Sequence, residues 1–301
     1  MLKPMQELFF FDFDGVLCDS IRETAKAGYL TCLRLWPELA SEKTEQSLAA
    51  TKTPEAVVEG FQKIRPLLTT GWQAVVMIRM LIEAPGSADS VVNDWSDTTC
   101  SNCLEQWNVS QQDVMDCFHK TRQQWIKEDL SSWISEHGVF ATALSAFRVL
   151  HAELPNDTFI LTTKSAEFTQ VILRSWGIHD FREDRVFGLG SGPKIETIHR
   201  IVSEHEADVT KSAGHAADSV RAHGRLVPVR AHFFEDKLST LVSSAASELS
   251  KDIDVRFYFE RWGYNTAEQL AKYLAGTPDA RIHVHESQVG GALFTRRRDS
   301  R

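Results

Sequence analysis

The stretch FFFDFDGVLCDS, residues 9–20, begins as a buried strand and then sets two aspartates, Asp12 and Asp14, one residue apart at its end. Like charges so close raise each other's pKa, and burial makes both expensive. In an open α/β sheet, ligands bind at the carboxyl ends of the strands, where this pair falls. Gly15 supplies the backbone freedom of a tight turn. Two reading frames are open for such a pair. It is a strand terminus capped by solvated acids, or it faces a divalent cation, for which hard carboxylate oxygens suit Mg²⁺. In the second case one carboxylate is able to act as a nucleophile while the other exchanges a proton with a leaving group.

Three further strand ends carry complementary chemistry. In FILTTKS (159–165) an apolar run ends in Thr162, whose hydroxyl can donate to a phosphate oxygen. In GSGPKIETI (190–198) Lys194 opens a helix with Ile195, Ile198, Ile201 and Val202 on one face, so that an ammonium and a helix N-terminus both favour a dianion. In AHFFEDKLST (231–240) Glu235 and Asp236 follow an apolar run, as metal ligands would. Strands are expected at Leu8–Phe13, Thr158–Thr162, Val227–Phe234 and Val255–Phe259, each followed by a helical pattern, which predicts an α/β fold with a parallel sheet.

Between residues 19 and 140 strand candidates are absent. Helices are expected near 20–35, 54–64, 72–83, 110–125 and 131–137, forming an inserted helical domain rich in tryptophan. Residues 1–18 with 141–301 are then the core domain. The polar segment from Glu204 to Arg225 reads as a surface excursion.

The chain has 301 residues, 43% of them hydrophobic, enough for a core domain with a smaller companion. A net charge of −8 opposes a nucleic-acid or anionic-lipid partner, and Arg296–Arg298 is a short basic terminus. Five cysteines are too few and odd in number for a disulfide framework, which predicts a reducing, cytoplasmic setting. CSNC (100–103) has no second pair to complete a zinc site and reads as two surface or loop thiols. No apolar run approaches the roughly 18 residues of a membrane span. A soluble monomer or homodimer is expected.

Taken together and in order, the four segments resemble the signature of the haloacid dehalogenase superfamily, and FDFDGVLCDS is similar to its phosphoglycolate phosphatase and β-phosphoglucomutase-like branch. The resemblance implies a Rossmann-like core with a helical cap inserted after the first strand. It implies that Asp12 is the nucleophile forming an aspartyl-phosphate and a ligand of Mg²⁺. Asp14 is implied as general acid/base, its main-chain carbonyl serving the metal. Thr162 and Lys194 would hold the transferring phosphoryl group, and Asp236, with Glu235, would complete the metal site. The expected activity is hydrolysis of a small phosphorylated metabolite.

Asp14 disfavours carbon–halogen cleavage, since the dehalogenases proper lack an acid there. The phosphomutases of this branch carry a histidine in the hinge region where this chain has Thr24, so a mutase is the second enzyme reading, and a non-catalytic phosphometabolite sensor is the third. Ser239 and Thr240 stand where many relatives place a second aspartate. Lys63, Arg65 and Arg79 in the helical insert are expected to be solvated. His283 and His285 in RIHVHE are expected as solvated residues of an edge strand, and RWGYNT (261–266) as a turn without a catalytic part.

Overall fold

The computed structural model describes residues 5–40, 47–212 and 229–286, with the side chains of 208–212 excepted. Arg296–Arg298 and residues 213–225 of the expected surface excursion lie outside the described residues. The chain divides into two compact units, residues 1–18 with 139–301, and residues 19–138.

The first unit is built on a six-stranded parallel sheet. Its strands are β1 (Gln6–Phe11), β4 (Thr158–Leu161), β5 (Val186–Phe187), β6 (Val229–Glu235), β7 (Asp254–Glu260) and β8 (Ile282–His285), in the spatial order β5-β4-β1-β6-β7-β8. β1 is apolar on successive residues because both its faces are covered. Leu8 and Phe10 join Phe159, Phe233 and Phe257 in a core layer beneath α10 (Lys194–Ser212) and α11 (Leu238–Ala246). On the opposite face Phe9 stacks on His232 at 4.9 Å, while Phe11 stacks on Phe234 at 4.6 Å and meets the edge of Phe147 from α8 (Ala141–Glu153).

The chain leaves β1 for β4 and β5 on one side and returns through β6, β7 and β8 on the other, so strand order reverses at β1. Phe11 lies opposite Ile160 of β4 and Phe234 of β6, which brings the residues after all three to one level. A crevice at the carboxyl ends follows from this reversal. Part of the expected excursion is corrected here: residues 204–212 continue α10 as helix.

The second unit is helical: α1 (Ile21–Leu35), α2 (Glu55–Ile64), α3 (Gln73–Glu83), α4 (Ala88–Asp94), α5 (Asp97–Gln106), α6 (Gln111–Glu128) and α7 (Leu130–Ser135). Two-residue strands β2 (Cys18–Asp19) and β3 (Gly138–Val139) pair where the chain passes between units. α4 and α5 were not expected, because α5 buries only Cys100 and Leu104 and shows little periodicity. Cys100 therefore faces inward rather than outward, and burial pushes its thiol up to about 11.

Glu23 is fully buried in this unit and accepts from Nε and Nη2 of Arg122, both at 2.6 Å, from Trp133 Nε1 at 3.0 Å and from Thr24 Oγ1 at 3.3 Å. A bidentate pair of this kind compensates the cost of burying a charge, and removing one partner leaves the other stranded. Arg122→Met is expected to lower stability by about 3–5 kcal/mol, read from the urea midpoint. A loss below about 1 kcal/mol would contradict that reading of the network.

Arg65 and Arg79 are buried rather than solvated, whereas Lys63 is exposed. The Arg79 guanidinium lies 4.1 Å from the Trp36 ring and 4.2 Å from the Trp107 ring and donates to Glu83 at 2.8 Å. The tryptophans of the insert thus serve its packing: two hold an arginine, and Trp125 and Trp133 are fully buried. Among the described residues, no helix is long and apolar enough to cross a membrane.

Candidate active site

Asp12 follows β1 directly, and its N–H donates to the Phe234 carbonyl at 2.8 Å, locking it to β6. The chain then turns tightly, with Gly15 N–H donating to Cys18 O at 2.8 Å and Gly15 at φ +94°. A Cβ at position 15 would sit 2.1 Å from Asp236 Oδ2. Glycine is therefore required twice over, by its dihedral angle and by the carboxylate pressed against it.

Lys194, the first residue of α10, reaches across to two acids. Its Nζ is 2.9 Å from Asp12 Oδ1 and 2.7 Å from Glu235 Oε2. The other Glu235 oxygen accepts from Lys237 N–H at 3.0 Å. One carboxylate oxygen from each of Asp12, Glu235 and Asp236 lies within 4.8 Å of the others, and all three residues are buried. Burial pushes the Asp12 carboxyl up to about 7, the Glu235 charge adds to the rise, and Lys194 offsets only part of it. Glu235 is raised as well, chiefly by burial. Burial opposes the Lys194 charge, yet Asp12 and Glu235 together hold its ammonium above the ordinary lysine range. Three buried carboxyl groups whose oxygens converge beside a single lysine fit a divalent cation, because added positive charge would favour their ionised forms.

Thr162 follows β4, tied to β5 by its N–H donating to Phe187 O at 2.9 Å. It is buried, and its Oγ1 accepts from Lys164 N–H at 3.1 Å. Lys164 was not singled out from the sequence, although it stands two residues past the strand-end threonine. Its Nζ lies 3.4 Å from Asp14 Oδ1. The Asp14 side chain thus turns to Lys164, while Asp12, Glu235 and Asp236 form the acidic group.

The turn 261–266 does lead to a helix, α12 (Ala267–Leu274), through a Thr266–Gln269 capping box. It also wraps the acidic group, which its sequence did not reveal. Tyr264 N–H donates to Asp236 Oδ2 at 2.6 Å, Asn265 Nδ2 to Asp236 O at 3.2 Å and to Glu260 O at 2.9 Å, and Trp262 Nε1 to Val16 O at 3.2 Å. A Cβ on Gly263 would come within 2.3 Å of Asp236 Cβ and 2.4 Å of Gly15 O. Of these donors only Tyr264 N–H is main-chain; Asn265 and Trp262 use side-chain nitrogens, in a turn whose residue types do not reveal their partners.

His283 and His285 stand on edge strand β8, where His283 is exposed as expected and His285 is half-buried. Their rings lie 5.4 and 5.0 Å from the Tyr258 ring, and His285 Nδ1 is 3.2 Å from Glu260 Oε1. Thr24 donates its hydroxyl to buried Glu23 of the helical unit at 3.3 Å.

Among solved structures, a predicted phosphoglycolate phosphatase from Haemophilus somnus is similar to this chain at 12% identity, covering 96% of this chain and 98% of its own, with a TM-score of 0.50. An X-ray structure of a structural-genomics target is similar at 11% identity over 96% and 98%, with a TM-score of 0.53. A haloacid dehalogenase-like hydrolase from Streptococcus pneumoniae matches at 17% identity over 96% and 98%, with a TM-score of 0.47. No protein-family model and no curated protein sequence matches the chain. At these identities the likeness is one of fold: the chain shares the fold of the predicted phosphoglycolate phosphatase from Haemophilus somnus.

Proposed function

We propose that the chain is a Mg²⁺-dependent phosphatase of a small phosphorylated metabolite, with Asp12 as nucleophile. A carboxylate oxygen of Asp12 forms a bond to phosphorus as the ester P–O bond breaks, and Asp14 gives its proton to the departing alkoxide. Water then attacks phosphorus, loses a proton to Asp14, and the Asp12–phosphorus bond breaks to release phosphate. Thr162 donates to one phosphoryl oxygen. Lys194 offsets charge on another and on Asp12 itself, so the anionic substrate meets less repulsion. Asp12, Glu235, Asp236 and the main-chain carbonyl of Asp14 would hold Mg²⁺, whose charge would complement the phosphoryl oxygens. The helical unit, residues 19–138, is the candidate cap.

The observation that supports this reading best is the Lys194 ammonium shared by Asp12 and Glu235 beside Asp236, at the point where strand order reverses. Phosphoryl transfer asks mainly for positioning and charge stabilisation, which such a group supplies. The test is phosphate release from p-nitrophenyl phosphate and a panel of phosphorylated metabolites. Turnover that needs Mg²⁺ and stops on chelation is expected, and no release from any ester would refute the reading.

A further inference from the structure

Building on the phosphatase reading, we propose that Lys164 is a positioning residue, holding the Asp14 carboxylate where it can pass a proton to and from the leaving oxygen. Asp14 Oδ1 is buried and accepts no hydrogen bond, and among the described residues the cation placed against it is Lys164 Nζ at 3.4 Å. The Lys164 side chain is only 2% exposed, so its long stem is fixed by packing rather than swinging in solvent.

The backbone beneath it is fixed too. Lys164 N–H donates to Thr162 Oγ1, and Lys164 O accepts from Leu189 N–H at 2.9 Å. Gly188 allows that second contact, since a Cβ there would come within 2.8 Å of Lys164 O and 2.4 Å of Ala166 N. The β4 and β5 ends thus form one rigid mount. Thr162 supplies its hydroxyl to the phosphoryl group, and the same hydroxyl oxygen anchors the lysine that aims Asp14.

An ammonium at 3.4 Å restrains a carboxylate without taking its proton-carrying lone pairs in a short hydrogen bond. It fixes one oxygen and leaves the other to meet the substrate. Geometry of this kind matters most when the leaving oxygen is strongly basic and cannot depart as an anion. When it departs easily, the position of Asp14 hardly affects P–O cleavage.

The test compares Lys164→Met and Lys164→Arg with the parent enzyme on an alkyl phosphate and on p-nitrophenyl phosphate. Lys164→Met is expected to lower kcat on the alkyl ester by about 100-fold, with the loss on p-nitrophenyl phosphate at least about tenfold smaller. Lys164→Arg should restore part of the alkyl turnover. Residual p-nitrophenyl phosphate turnover also reports that the variant folds, and the arginine variant carries the same comparison if the methionine one does not. In an Asp14→Asn background, Lys164→Met should cost no more than about twofold on the alkyl ester. Equal losses on both esters, a change confined to KM, or no loss at all would overturn the proposal. Those results all require an active parent. A parent inactive on every ester overturns the phosphatase reading itself and this proposal with it.

Discussion

Asp12→Asn is expected to abolish phosphatase turnover, by at least about 10⁴-fold in kcat, with the protein still folded by circular dichroism. The substitution keeps the size of the side chain and removes the anionic oxygen proposed to attack phosphorus. Asp12 is fixed by its N–H bond to Phe234 and by Lys194 at 2.9 Å. Lys194 still holds Glu235 in the variant, so the electrostatic frame of the site persists. Turnover within tenfold of the parent would show that Asp12 is not the nucleophile.

The second large effect concerns the close packing of Gly15 and Gly263 on Asp236. Gly15→Ala and Gly263→Ala both place a methyl where Asp236 now sits, the first 2.1 Å from Oδ2 and the second 2.3 Å from Cβ. At position 263 the new methyl also meets Gly15 O at 2.4 Å, a main-chain atom that cannot rotate aside. Asp236 must shift, and the Tyr264 N–H bond at 2.6 Å that orients it is lost or lengthened. Supporting contacts of this sort govern metal affinity, and a loss of about 10–100-fold in Mg²⁺ affinity is expected by calorimetry. Gly190→Ala is the control. Gly190 shares the positive φ of Gly15, at +93°, but a Cβ there meets nothing within 4 Å. Equal Mg²⁺ affinity in the Gly15, Gly263 and Gly190 variants would show that the close packing on Asp236 is irrelevant to the ion.

What the sequence shows and what it hides in this site follow one physical division. Asp12, Thr162, Lys194, Glu235 and Asp236 each stand at the end of a strand or the start of a helix, where an apolar run gives way abruptly to a polar residue. Periodicity finds such borders well, because burial on both faces of β1, β4 and β6 forces continuous apolar sequence. β5, two residues long, has no period to detect, and neither have α4 and α5, each of which buries only two residues. Lys164 was missed for another reason: a lysine in a polar turn after a strand looks solvated, and only the fold shows its side chain packed against Asp14. The hold of residues 263–265 on Asp236 joins the close approach of Gly263, the Tyr264 N–H and the Asn265 amide, residue types that read equally well as an ordinary turn. The buried arginines were misjudged because the prior for a helical arginine is exposure, while Arg79 is covered by two tryptophans distant from it in sequence.

The account rests on covalent capture of phosphorus by Asp12. The most direct measurement is mass spectrometry of acid-quenched protein during turnover of p-nitrophenyl phosphate with Mg²⁺, using Asp14→Asn to slow hydrolysis of the intermediate. A phosphoryl group on the peptide containing Asp12, absent when Asp12→Asn is added, is the predicted result. Turnover with no phosphoryl group on the protein, or with one mapped to another residue, would contradict it.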